Sequence, residues 1–119
     1  MFYTSAEHQQ RFKDIMHRLD KLGQRAPDAE YAAALYILTA TAALWNKANG
    51  YVDAERIDIP ALLEQQDFSG GYGVLVTLAG HLFNGRMHLE PLEFLRLDAQ
   101  NFHVALTALQ IRRDSSLIL

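Results

Sequence analysis

YAAALYILTATAALW occupies residues 31–45, and the state of this stretch decides the fold. Nearly every position is apolar or Thr, so a helix here has no polar face to turn toward water. Such a helix has to be enclosed by other elements. The stretch is Ala-rich, broken by two Thr and 15 residues long, whereas a bilayer span needs about 20. It is therefore expected to be a buried central helix over about 29–48. Asp28, after Pro27, can cap its start with the charge that suits the positive end of a helix, and Asn49-Gly50 stands at its end.

The remaining segments read as helices laid around this one. Thr4-Ser5-Ala6-Glu7 fits a capping box with Thr4 as N-cap. Phe12, Ile15, Met16, Leu19 and Leu22 follow at spacings of three and four, one stripe of an amphipathic helix over 5–22, with Gly23 placed to stop it. Asp58-Ile59-Pro60 opens a short helix over 60–66. Residues 91–95, beginning with Pro91, give another turn or two. Asp98 caps a last helix over 99–113, on which Phe102, Leu106 and Leu109 share a face with Ala105, Ala108 and Ile111 beside it, and Arg112 and Arg113 fall at the negative end. Residues 52–59 alternate loosely but are crowded with the acidic residues that strands disfavour. The expected fold is all-α: one domain over 1–119, an irregular bundle of four main helices and two short ones around the buried central helix.

The stretch FSGGYGVLVTLAGHLFNG, residues 68–85, raises the one motif-level question. A phosphate-binding P-loop needs a Lys and a hydroxyl after its glycines and a strand before them. No Lys follows Gly73, and no strand precedes; the dinucleotide fingerprint fails for the same lack of a strand. A capped core helix with Asn84-Gly85 as its stop accounts for the pattern. Its face is Leu75, Leu78, Ala79, Leu82 and Phe83, and Gly80 leaves room for a neighbouring helix. The free amides of Ser69, Gly70, Gly71 and Gly73 remain a candidate anion site, as at any helix start.

Chemistry is sparse. The chain has no cysteine, which excludes disulfides, thiolate catalysis and Cys-ligated metal sites. The five His show no HxH, HxxxH or HExxH spacing, and no Ser sits in a recognisable nucleophile elbow. No catalytic residue, metal ligand or cofactor is expected. Tyr31, Tyr36, Trp45, His81 and Phe83 are the candidate lining of a small-molecule pocket beside the central helix.

Net charge is −3. The first 25 residues carry five cations against three anions, and the remainder six against eleven. A helix with net charge +2 is weak support for nucleic-acid binding, which works by neutralising phosphates, so nucleic acid is disfavoured as a partner. The N-terminus shows no basic stretch followed by an apolar run. A cytoplasmic protein with no membrane association is expected.

Four pieces of the chain also form a pattern: EHQQRF at 7–12, DAEYAAALYIL at 28–38, SGGYGVLVTLAGHLFNG at 69–85 and NFHVALTALQIRR at 101–113. Together they resemble a family of small uncharacterised proteins of Gram-positive bacteria, their phages and mobile elements. Members of that family start on "EH…RF", carry a "LA-x-N-L-[YW]-N-G" helix, where this chain has His81 at the Asn, and finish on an amphipathic helix ending in Arg. The resemblance implies a helical domain and assigns no activity.

The function expected is a non-enzymatic helical protein–protein interaction or regulatory module, of the kind phages and mobile elements encode. It would bind a protein partner or a second copy through helix one and the apolar tail. The alternative is a small-ligand-binding protein or enzyme using the pocket beside the central helix.

Overall fold

The computed structural model describes all residues from Met1 to Leu119. In chain order its α-helices are α1 (Ala6–Arg18), α2 (Ala29–Leu38), α3 (Ala42–Ala48), α4 (Ile59–Gln65), α5 (Gly70–Asn84) and α6 (Ala99–Arg113). Short 3-10 helices cover Asn49–Tyr51, Pro91–Arg96 and Ser115–Ile118. The only β pairing is an isolated antiparallel bridge between Val52 and Ile57, held by Asp53, whose Oδ1 accepts from the Glu55 and Arg56 amides. The fold is all-α, as expected.

The enclosed element is α2. Every residue from 31 to 40 is buried, with α5 and α6 packed along it and α1 on a further side. Its start is as expected: the Asp28 carboxylate accepts from the Tyr31 amide at 3.1 Å. Its end is not. The single helix expected over 29–48 stops at Leu38, and α3 begins anew at Ala42 behind an extended Thr41. The two threonines divide the stretch. Thr39 returns its hydroxyl to the Leu35 carbonyl at 2.6 Å, while Thr41 accepts from the Leu44 amide at 3.1 Å as the cap of α3. Enclosure ends with the break, and Ala42 and Ala43 are exposed.

Helix α1 completes the end of α2. A helix leaves its last carbonyls without intrahelical partners. Those near this terminus receive donors from one side of α1 and the residue before its cap. His8 bonds the Tyr36 carbonyl at 2.8 Å, Arg11 Nε donates to the Thr39 carbonyl at 3.0 Å, and the Thr4 hydroxyl donates to the Ala40 carbonyl at 2.5 Å. Because Thr4 is engaged there, Ser5 replaces it as N-cap of α1, accepting from the His8 amide at 3.0 Å. The far end of α1 also differs from the expected 5–22. Asp20 turns left-handed at φ 58°, and the Asp20 and Lys21 amides close on His17 and Met16, a Schellman ending built on Asp instead of Gly. Gly23 lies beyond it in the connecting loop. A Cβ there would stand 2.3 Å from the Ala26 carbonyl oxygen.

The glycine-rich stretch is helical from Gly70 onward and ends, as expected, on left-handed Gly85 at φ 72°. Ser69 occupies the N-cap position but its side chain makes no capping bond. The space left by Gly80 is filled by Ile59 of α4 and by Met87, which a Cβ would meet at 2.8 and 2.7 Å. The tail returns to the body. Ser115 Oγ donates to the Pro27 carbonyl at 2.6 Å, and Ile118 is buried while Leu117 and Leu119 are exposed. The core runs from Phe12 through α2 to Ile111; each large side chain fully withdrawn from water there contributes about 1.5–3 kcal/mol.

Candidate interaction face

Helix α6 is apolar on two sides. Asp98 sets its start, accepting from the Asn101 amide at 2.8 Å. The side turned to α2 and α5 carries Val104, Ala105, Ala108 and Ile111, all fully buried. Two of these four are alanines, which let helices approach closely. The outer side carries the large residues: Phe102 is 37% exposed, Leu106 42% and Leu109 38%. Their spacing of four and three puts them in one stripe, and Arg113 continues it. The flanks of α6 are tied down: His103 stacks on Phe2 with ring centroids 3.8 Å apart, and Arg112 Nε donates to the Leu82 carbonyl at 2.8 Å.

The remaining exposed large apolar residues cluster with this stripe along the chain. Leu92 and Leu95 lie in the 3-10 segment that leads into α6, and Leu117 and Leu119 in the tail that leaves it. Met1, the last of them, shares a shallow concavity with Gln110, Arg113 and Leu117 at the C-terminal end of α6. Every large hydrophobic side chain that is exposed in this protein thus belongs to α6, its two flanking segments or the N-terminal residue beside it. Helix α1, expected to share in an interface, has no such side chain. Phe12, Ile15 and Met16 are buried in the core.

The candidate pocket residues are dispersed, and no concavity is lined by more than one of them. Tyr31 and Phe83 meet edge to face at 5.2 Å; the Tyr31 hydroxyl donates to the Asp53 carbonyl at 2.9 Å, and burial first, then the Asp53 charge, pushes the phenol up to about 12. Tyr36 is fully buried elsewhere, among Tyr3, His8 and Phe12. Its hydroxyl donates to the Phe2 carbonyl at 2.7 Å, and burial raises its phenol well above the ordinary range. Trp45 is half-buried on α3. His81 is exposed, with Nδ1 2.7 Å from the Met87 carbonyl.

The four candidate anion residues are divided as well. Ser69 borders a small concavity with Lys47, Phe68 and Tyr72. Gly70 and Gly73 open on a different groove, shared with His88, Glu90, Glu93 and Arg96. His88 is engaged by Glu90 at 2.9 Å and Arg96 by Glu93 at 2.6 Å, so both basic side chains of that groove are already held by carboxylates. Gly71 faces Leu97 and Asn101, which a Cβ would meet at 3.2 and 3.3 Å. No cluster of three or more His, Asp or Glu is arranged to hold a metal ion, and no helix is long and apolar enough to cross a membrane.

Sequence reasoning had Phe102, Leu106 and Leu109 in hand but not their exposure. Size is a partial signal: two alanines face the tight contact, but Val104 and Ile111 are buried beside them. No protein-family model, curated protein or solved structure matches this chain.

Proposed function

We propose that this protein is a non-enzymatic helical protein–protein interaction module that engages its partner through the outer face of α6. One observation carries the reading. A helix whose inner side is completely packed keeps an aromatic and two leucines in one exposed stripe, and the other exposed large apolar residues lie in the chain segments that flank this helix or, for Met1, beside its C-terminal end. Isolated apolar residues on a surface are ordinary, but a contiguous apolar patch marks a contact site. Aromatic and aliphatic side chains at the centre of a patch, with charge at its edge, are the composition of binding hot spots.

A photo-crosslinking residue placed at Leu106, in cells that make the protein, tests the reading; the same residue at Gln9, on the polar face of α1, is the control. Protein adducts formed at 106 and not at 9 are expected. No adduct at 106, or the same adducts at both sites, would overturn it.

A further inference from the structure

We infer that the occupant of this face is a second copy of the chain, with the two α6 helices antiparallel about a two-fold axis near Leu106. The inference rests on α6 being the interaction face, and it adds the partner and the geometry. Three features of the face point to self-pairing in this direction.

The first is spacing. Ala99, Phe102, Leu106, Leu109 and Arg113 recur at alternating steps of three and four, the period at which two helices interlock side chains along a seam. Reversal about Leu106 sets Phe102 of one copy opposite Leu109 of the other, Ala99 opposite Arg113, and Leu106 opposite itself. A surface that maps onto itself under a two-fold rotation is what a closed, isologous dimer needs.

The second is charge. Asp98 stands at the start of α6, and the exposed Arg113 at its end. Antiparallel pairing brings Arg113 of each copy beside Asp98 of the other, offsetting the approach of Asp114 to the same Asp98, and opposes the two helix dipoles, which is favourable. Parallel pairing would bring Arg113 against Arg113 and Asp98 against Asp98.

The third is the position of the outlying apolar residues. Leu92 and Leu95, 76% and 75% exposed, precede α6, whereas Met1 and Leu117 lie beside its C-terminal end. Only the antiparallel arrangement sets the first group of one copy toward the second group of the other.

The chain has no cysteine, so single cysteines report the geometry directly. Leu106→Cys is expected to give a disulfide-linked dimer on mild oxidation. Phe102→Cys alone is not, because its two copies would be displaced by about 12 Å along the axis, beyond the roughly 7 Å that a disulfide spans. Phe102→Cys mixed with Leu109→Cys is expected to link. In sedimentation, Leu106→Glu is expected to weaken self-association by about 30-fold or more, with helicity unchanged and melting no longer dependent on protein concentration, and Arg113→Asp to weaken it to a lesser degree. A wild-type protein that sediments as a monomer at the concentration of an NMR sample overturns the inference. So does self-linking of Phe102→Cys as fast as that of Leu106→Cys. A monomer that is nonetheless crosslinked through residue 106 to a different protein removes the self-pairing and leaves the interaction reading standing. A monomer with no adduct at all removes both.

Discussion

The His8 side chain bonds the Tyr36 carbonyl through Nε2 at 2.8 Å across the α1–α2 contact. Its other ring nitrogen, Nδ1, accepts from the Thr4 amide at 3.1 Å. An imidazole that accepts at Nδ1 must carry its proton at Nε2 to donate there, so the neutral Nε2–H tautomer satisfies both contacts. His8 is fully buried, and with both nitrogens used it is a fastener between two helices. The protonated ring would confront the Thr4 N–H with a second donor.

Removing this fastener is expected to be costly. His8→Ala opens a cavity and leaves the Tyr36 carbonyl and the Thr4 amide without partners, at about 1–3 kcal/mol for each group left unsatisfied. A total loss of about 2–4 kcal/mol in urea unfolding is expected. A loss under about 0.5 kcal/mol, the size of an ordinary surface change, would show that the bond contributes nothing.

The same residue makes stability depend on pH. Burial, aided by the Arg11 charge and opposed by the bond to Tyr36, lowers the His8 imidazole from 6.5 to about 4. The unfolded chain therefore takes up this proton near pH 6.5 and the folded chain only near pH 4. The His8 contribution is complete above pH 6.5 and is lost as the pH falls through that window, by about 3 kcal/mol in all. His8→Gln cannot titrate. The difference in unfolding free energy between wild type and His8→Gln should shrink steadily between pH 7 and pH 4, whereas a constant difference would mean that the imidazole does not titrate as described.

The close contact at Gly80 sets a limit on side-chain size. Gly80→Ala places a methyl 2.8 Å from Ile59 and 2.7 Å from Met87. The helix propensity gained, up to about 1 kcal/mol, is opposed by overpacking of about 1–3 kcal/mol. A net loss of stability is expected in thermal melts, and relief when Ile59→Val is combined with it. Stabilisation by Gly80→Ala alone would show that α4 yields freely.

The two sides of α6 should respond oppositely to the same change. Leu106→Glu alters an exposed position and is expected to move the stability of the monomeric fold by no more than about 0.5 kcal/mol. Ala105→Glu buries an unpaired carboxylate against α2 and should prevent folding. Equal tolerance at the two positions, followed by circular dichroism, would mean that α6 is rotated from the orientation described.

The cap of α3 is the last quantity open to a simple check. Thr41→Val keeps the shape of the side chain and removes the oxygen that receives the Leu44 amide. It is expected to cost about 1 kcal/mol. No loss would place the break after Leu38 under the control of Thr39 and the α1 donors alone.

Much of the helical plan was legible because it is written in local chemistry. Asp28, Asp58 and Asp98 each announce a helix start by a carboxylate three residues ahead of the amide it accepts, and Gly85 marks a stop that its φ requires. The limits of α6 follow from such signals alone. The break between α2 and α3 was not legible. Thr39 and Thr41 are compatible with a helix interior, and the carbonyls freed at the break, those of Thr39 and Ala40, are met by donors delivered from residues 11 and 4. The same is true of Thr4, a plausible cap until a distant carbonyl engages it.

The sequence by itself determined that the chain is all-α and that the helix opening at Asp28 is enclosed, since it has no polar face to turn to water; it carried that enclosure on to residue 45, whereas the structure ends it at residue 40. Tertiary structure alone decided where that helix ends, what His8 is for, and which side of α6 stays outside. Each of these depends on a partner more than 20 positions away in the chain. Apolar residues on two sides of one helix look alike until a neighbour covers one side, and α2 and α5 cover Val104, Ala105, Ala108 and Ile111 and leave Phe102, Leu106 and Leu109 to the surface.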